Sequence, residues 1–246
     1  MYKRQGYNTL YTNTTGAQNT AVGRASLFSN TTADNNTAVG YNALFANTTG
    51  TYNIAVGSHA LDANTTANNN IAVGYNAMTA NTTGASNTAL GSSALTASNG
   101  SSNVAVGDVS LYANTTGSNN TAVGTYSLYS NTTANNNTAV GYDALGDCTT
   151  GHSNVAVGHN AMNALTDADE NTAVGKDSLG ALTTGNYNTA IGFESLASAT
   201  TSTQLVAVGR HALYSNSTGT QNTALGYSAL YANTTGTSNT AAGILH

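Results

Sequence analysis

An all-β fold, a parallel β-solenoid (β-roll) of about 14 coils, is predicted by three features of this sequence. The glycine of an "AVG"-type triplet returns at 23, 40, 57, 74 and 91, then at 107, 124, 141, 158, 175, 192, 209, 226 and 243. Every step is a 17-residue repeat except one of 16, between 91 and 107. Each repeat carries one triplet of strand formers, usually Thr-Ala-Val, bounded by the turn residues Asn and Gly. Apolar residues do not recur at i, i+4 and i+7, so a helical reading fails.

The elements follow in chain order. Residues 1–5, "MYKRQ", fit no repeat and hold two of the five basic residues, so they are set outside the fold as a non-repeat remnant. Gly6 keeps the glycine register, which makes 6–246 a single repeat domain. The chain enters and leaves in mid-repeat with no atypical coil at either end, which predicts a segment of something longer.

Within each repeat the strand triplet comes first. Two before each of these glycines stands alanine, as at Ala21, Ala38, Ala55, Ala72, Ala122 and Ala139, fourteen times out of fourteen. Period two places that alanine on one face and its Thr and Val neighbours on the other. An alanine without exception implies a lumen too narrow for anything larger. Four before the glycine is Asn, as at Asn36, Asn53, Asn70 and Asn137, with Leu205 the sole exception. That column reads as a buried or half-buried amide ladder, each side chain bonding along the axis and satisfying turn backbone.

After the glycine the third residue is almost always Ala or Ser, and the fourth is Leu or Met through Leu230. A second short strand is predicted around this "x-A-L-x-A", with "NTT" plus a small residue as the other corner. Two strands and two turns complete one coil, and coils stack about 4.8 Å apart in parallel register. A column then survives because each residue sits on its own copy one coil away.

If alanine points in, Val22, Val39, Val56, Val73, Val123, Val140 and Val174 point out beside the Thr column. Fourteen such coils make a wall roughly 65 Å long and on the order of 450–650 Å² in area. The largest apolar patch on a monomer is about 300–600 Å², so a cover is expected. An oligomer with the same strip on each subunit is the simplest cover, and three strips around one axis would make a rod.

The columns "NTAVGxxALxxNTTGxxN" resemble the head repeats of trimeric autotransporter adhesins, whose related motif has the form N-S-V-A-I-G-x-x-S-x-A, and the Asn/Thr/Gly repeats of phage tail-fibre shafts. The match runs from about residue 6 to 243. The resemblance implies a left-handed β-roll, a homotrimer, and an extracellular place on a cell surface or virion with a role in attachment. The coil here is 17 residues, longer than the adhesin repeat, and no membrane anchor, stalk or chaperone domain accompanies it.

Composition narrows the partners. Charged residues make up 6% against about 25% in ordinary soluble domains, yet 39% are hydrophobic and the net charge is only −5, so disorder is disfavoured. Lys3, Arg4, Arg24, Lys176 and Arg210 form no stripe for displacing phosphate counterions, which argues against nucleic acid. No apolar run approaches a membrane span and no signal peptide is visible. The one cysteine, Cys148, has no CxxC partner and replaces the Asn usual at its place.

Little in the variable columns looks catalytic, and no cofactor or metal is implied. His59, His152, His159, His211 and His246 lack metal-ligand spacing. "TDADE", 166–170, gathers three carboxylates that could hold calcium, but it lacks a calcium-loop pattern, and surface decoration is the better reading. "NTT" at Asn13, Asn30, Asn47, Asn64, Asn81, Asn114, Asn131 and Asn233 matches the N-glycosylation acceptor pattern. It reads better as a turn, since glycans every coil would collide. Aromatic rows run just after the glycine (Tyr41, Tyr75) and five after it (Tyr112, Tyr129, Tyr231). They would stack on sugars or a host receptor, or merely cover coil edges; their patchy occurrence favours the second.

The leading functional reading is a non-enzymatic structural or adhesive fibre segment that presents repeat surfaces for attachment, with a host surface or glycan receptor as partner. The alternative is an ice-binding β-solenoid, using outward rows such as Thr37/Val39, Thr121/Val123 and Thr172/Val174. Ile54, Ile71, Val104, Val155 and Val206 interrupt that Thr array. A sugar-cleaving enzyme would need a paired-carboxylate cleft, which ten scattered acidic residues do not offer.

Overall fold

A computed structural model describes residues 3–244. The chain forms two compact units, Met1–Asn120 and Thr121–His246, each a stack of parallel coils, with no helix among the described residues. The first holds β1 (Lys3–Gln5), β2 (Thr20–Val22), β3 (Thr37–Val39), β4 (Ile54–Val56), β5 (Ile71–Val73), β6 (Thr88–Leu90) and β7 (Val104–Val106). The second holds β8 (Thr121–Val123), β9 (Thr138–Val140), β10 (Val155–Val157), β11 (Thr172–Val174), β12 (Thr189–Ile191), β13 (Val206–Val208), β14 (Thr223–Leu225) and β15 (Thr240–Ala242). Within each unit the strands pair in chain order, parallel and in register, so that Ala38 faces Ala55 and Ala139 faces Ala156.

Backbone pairing begins before the sequence consensus does. Lys3–Gln5, which fit no repeat in the sequence, form β1 against β2 with Lys3 opposite Thr20. Backbone ladders accept any residue with an N–H and a C=O, whereas the consensus reports on side chains. Met1 and Tyr2 lie outside the described residues.

The strand alternation is as the period-two pattern requires. Ala38 and Ala139 are fully buried while their Thr and Val neighbours are half-buried, the same in-versus-out order on nearly every strand. The bore is therefore lined by methyl groups, and the β-branched side chains stand on the outer face.

The expected second strand is absent: the "x-A-L-x-A" segment is a turn among the described residues. The reason is backbone handedness. Both the second and the fourth residue after the glycine adopt left-handed φ, as at Asn42 (+54°) and Leu44 (+52°), which no extended strand tolerates. The coil-to-coil hydrogen bonds survive without extended geometry, Asn42 donating back to the Arg24 carbonyl at 3.1 Å and Leu44 forward to that of Ala60 at 3.0 Å.

A leucine in the left-handed region costs about 1–2 kcal/mol. Fully burying its side chain returns about 1.5–3 kcal/mol, and Leu44, like Met78 and Leu145, is fully buried. Burial outweighs the strain, so the column keeps its long aliphatic residue despite the backbone. The turn also explains why the third position takes Ala or Ser. It is buried, and a serine there, such as Ser127, donates to the carbonyl of its own repeat glycine, Gly124, at 2.7 Å.

The glycine itself admits no substitute. Gly57 has φ +137°, and a Cβ on it would collide with the Gly74 carbonyl oxygen in the adjoining coil.

Candidate functional site

Two amide ladders run through the interior. The expected one is the strand-entry column. Asn53 donates its backbone N–H to Oδ1 of Asn36 at 2.9 Å, and Asn70 donates to Asn53 at 3.0 Å. In the second unit Asn154 donates to Asn137 at 2.8 Å. The side-chain Nδ2 groups donate to backbone carbonyls, Asn36 to Gly50 at 2.8 Å and Asn137 to Gly151 at 2.7 Å. The ladder is therefore mainly side chain to backbone, with amide–amide bonds at some steps, as from Asn188 to Asn171 at 3.0 Å.

The second ladder is the Asn of "NTT", which the sequence presents only as a turn residue. Asn47 donates to Asn30 Oδ1 at 3.1 Å and Asn64 to Asn47 Oδ1 at 2.8 Å, all of them fully buried. A signal was present. Four successive coils carry Cys148, Leu165, Leu182 and Ala199 there, replacements that suit an interior position and not a wet turn. Burial of Asn30, Asn47, Asn64, Asn81, Asn114 and Asn131 also removes those acceptor sites from reach of a glycan-transferring enzyme in the folded chain. The first Thr of the motif remains outside, Thr48 donating its hydroxyl to the Thr65 carbonyl at 3.0 Å.

The interior thiol is inert. Cys148 is fully buried, and loss of hydration pushes its pKa up to about 12.

The outer strand face carries the residues expected at an interface. Val22 and Val73 are exposed, Val39, Val56, Val123, Val140 and Val174 half-exposed. In the same face Ile54 is 39% and Leu225 44% exposed. The first unit stacks these side chains in unbroken register from Val22 through Val39 and Val56 to Val73. From β2 to β15 the outer strand positions are Thr, Val, Ile, Leu or Ala, with no charged residue among them.

The aromatic rows lie on the turn that follows the glycine. Tyr41 and Tyr75 are exposed, as is Tyr112, while Tyr129 and Tyr231 are half-buried. Several rings stack on one another from coil to coil. Tyr11, Phe28 and Phe45 stack with centroids 5.3 and 5.1 Å apart, and Tyr231 lies parallel to Tyr214 at 5.1 Å. Tyr129 meets Tyr126 edge-on at 5.5 Å. Tyr41 instead carries the Arg24 guanidinium over its ring, 5.7 Å from the centroid.

The carboxylates of 166–170 do not gather around a point. Asp169 is spent on the corner, accepting the His152 N–H at 2.6 Å, while Asp167 and Glu170 are exposed. Among the described residues no three His, Cys, Asp or Glu side chains converge as metal ligands would. His59 pairs with Asp62 at 3.0 Å within one turn, and His211 lies 3.1 Å from Glu194 of the adjoining coil with its Nε2 closed off from solvent. No helix among the described residues is long and apolar enough to cross a membrane.

No family model, curated protein or solved structure matches the chain.

Proposed function

We propose that this chain is a structural and adhesive segment: a stiff, non-enzymatic β-solenoid that associates with two further copies through its outer strand face and presents its turns for attachment, outside the cell or on a virion. One observation carries the reading. The strand alanines point inward and leave an in-register Thr/Val/Ile face outside, with Ile54 and Leu225 among its most open positions. A continuous aliphatic face of this kind is stabilised by meeting its own image around a symmetry axis. The resemblance to adhesin-head and tail-fibre repeats supports the same assembly and left-handed winding.

The test is a pair of charge insertions read by light scattering coupled to gel filtration. Val39→Lys with Val56→Lys places two ammonium groups on the face and is expected to yield monomers that keep the far-ultraviolet circular dichroism of the parent. An unchanged assembly would refute the interface. The in-register Thr rows also suit ordered water, so a freezing-point gap measured on the same preparations distinguishes ice binding. A clear thermal hysteresis from a monomeric chain would replace the adhesive reading.

A further inference from the structure

The chain is acidic and nearly uncharged along its repeats, yet its few cations are not scattered. Every lysine and arginine among the residues with described side chains, Arg24, Lys176 and Arg210, directly follows a repeat glycine. Each sits against an aromatic ring one coil away in the same column. Arg24 lies 5.7 Å from the Tyr41 centroid, and Lys176 lies 5.5 Å from that of Phe193. Arg210 lies between Phe193 at 5.5 Å and Tyr227 at 5.7 Å.

The two arginines differ from the lysine in what else holds them. Lys176 is engaged by the carboxylate of Asp177. Among the described residues no carboxylate pairs with Arg24 or Arg210. A guanidinium held over a ring and free of any carboxylate partner keeps N–H donors in the fork that receives a carboxylate through two parallel hydrogen bonds. The flanking rings are themselves open, Tyr227 being 47% exposed, and offer an apolar surface beside the cation.

We infer that the Arg210 cluster with Phe193 and Tyr227, and its smaller counterpart Arg24 with Tyr41, are binding sites for carboxylate-bearing sugars of an acidic polysaccharide. The carboxylate meets the guanidinium edge and the C–H face of the sugar packs on the neighbouring ring. Charge selects this occupant over a nucleic acid. A polyphosphate needs a continuous cationic stripe, whereas isolated arginines on a chain of net charge −5 suit single carboxylates spaced along an otherwise uncharged polymer. The assignment rests on the attachment reading above and names its ligand.

The experiment titrates a glucuronic-acid tetrasaccharide, and its carboxyl-reduced neutral counterpart, into the full chain by calorimetry and ligand-observed nuclear magnetic resonance. The acidic sugar is expected to bind and the neutral one to bind at least tenfold more weakly. Arg210→Gln should weaken the acidic sugar at its site by about tenfold or more, the scale of one charge-assisted contact. Arg24→Gln should remove the second site, and the double variant should not bind. Both arginines are exposed and outside the core, so the variants fold, and circular dichroism checks this. Equal binding of the two sugars, or a double variant that binds like the parent, would overturn the inference. Light scattering on the same samples separates it from the assembly. An oligomer that ignores both sugars sinks the glycan site alone, and a monomer that binds the acidic sugar sinks the assembly alone.

Discussion

Asn36 and Asn47 donate to the same acceptor, the carbonyl oxygen of Gly50, at 2.8 and 2.9 Å. The two amide ladders converge in the same way on Ala67 and Gly84, locking the strand entry of one coil to the turn of the next where both Asn are present. Because these groups are fully buried, an amide removed from either ladder strands a polar partner away from water.

Asn47→Ala should therefore lower stability by about 1–3 kcal/mol, the cost of a buried group left unpaired. It removes the donor to Asn30 and the acceptor for Asn64 together. Urea denaturation of the variant against the parent measures it. A change within experimental error would mean that the ladder is ornamental.

At the strand centre the interior is lined by alanine methyl groups stacked coil on coil. Ala55 is flanked in register by Ala38 and Ala72, so Ala55→Leu should destabilise by about 1–3 kcal/mol or more through overpacking. Val56→Thr, one residue on and facing out, should stay within about 0.5 kcal/mol in the dissociated chain. Thermal melts of the two variants read the contrast directly.

Val109 is a β-branched residue at φ +49°, in a position that most coils give to Asn, Ser, His or Asp. The left-handed region strains such a side chain. Val109→Asn is expected to raise stability by about 1 kcal/mol, seen as a higher denaturation midpoint with an unchanged slope.

Asp143 has its pKa raised, first by burial and then by the nearby charge of Asp147. A folded-state pKa above the unfolded value means that the native state favours the protonated acid. Its contribution is fully present below the unfolded pKa and is lost as pH rises through the folded one. Asp143→Asn should thus stabilise the chain at neutral pH and change little at acid pH, in melts spanning roughly pH 3–7.

The sequence made the strand triplets legible because period two and a 17-residue repeat constrain side chains directly, and Ala38 and Val39 stand on the faces that this pattern assigns. It misled at Leu44, where an apolar residue between small ones reads as extended chain. Left-handed φ at a leucine is invisible to residue statistics, since only burial compensates it. The Asn47 ladder was hidden by the turn preference of asparagine, which is satisfied on the surface and in the interior alike. The pairing of Arg24 with Tyr41 needs only the coil register, since the two residues are neighbours in one column. Sorting residues by type, cations apart from rings, conceals it.

The outward aliphatic face is the feature on which the proposed assembly depends, and the molar mass of the purified chain in dilute neutral buffer tests it most directly. Light scattering at micromolar concentration should return three times the 24.7 kDa of the single chain, independent of dilution over that range. A stable particle of 24.7 kDa, its valines in water, would contradict the proposed trimer.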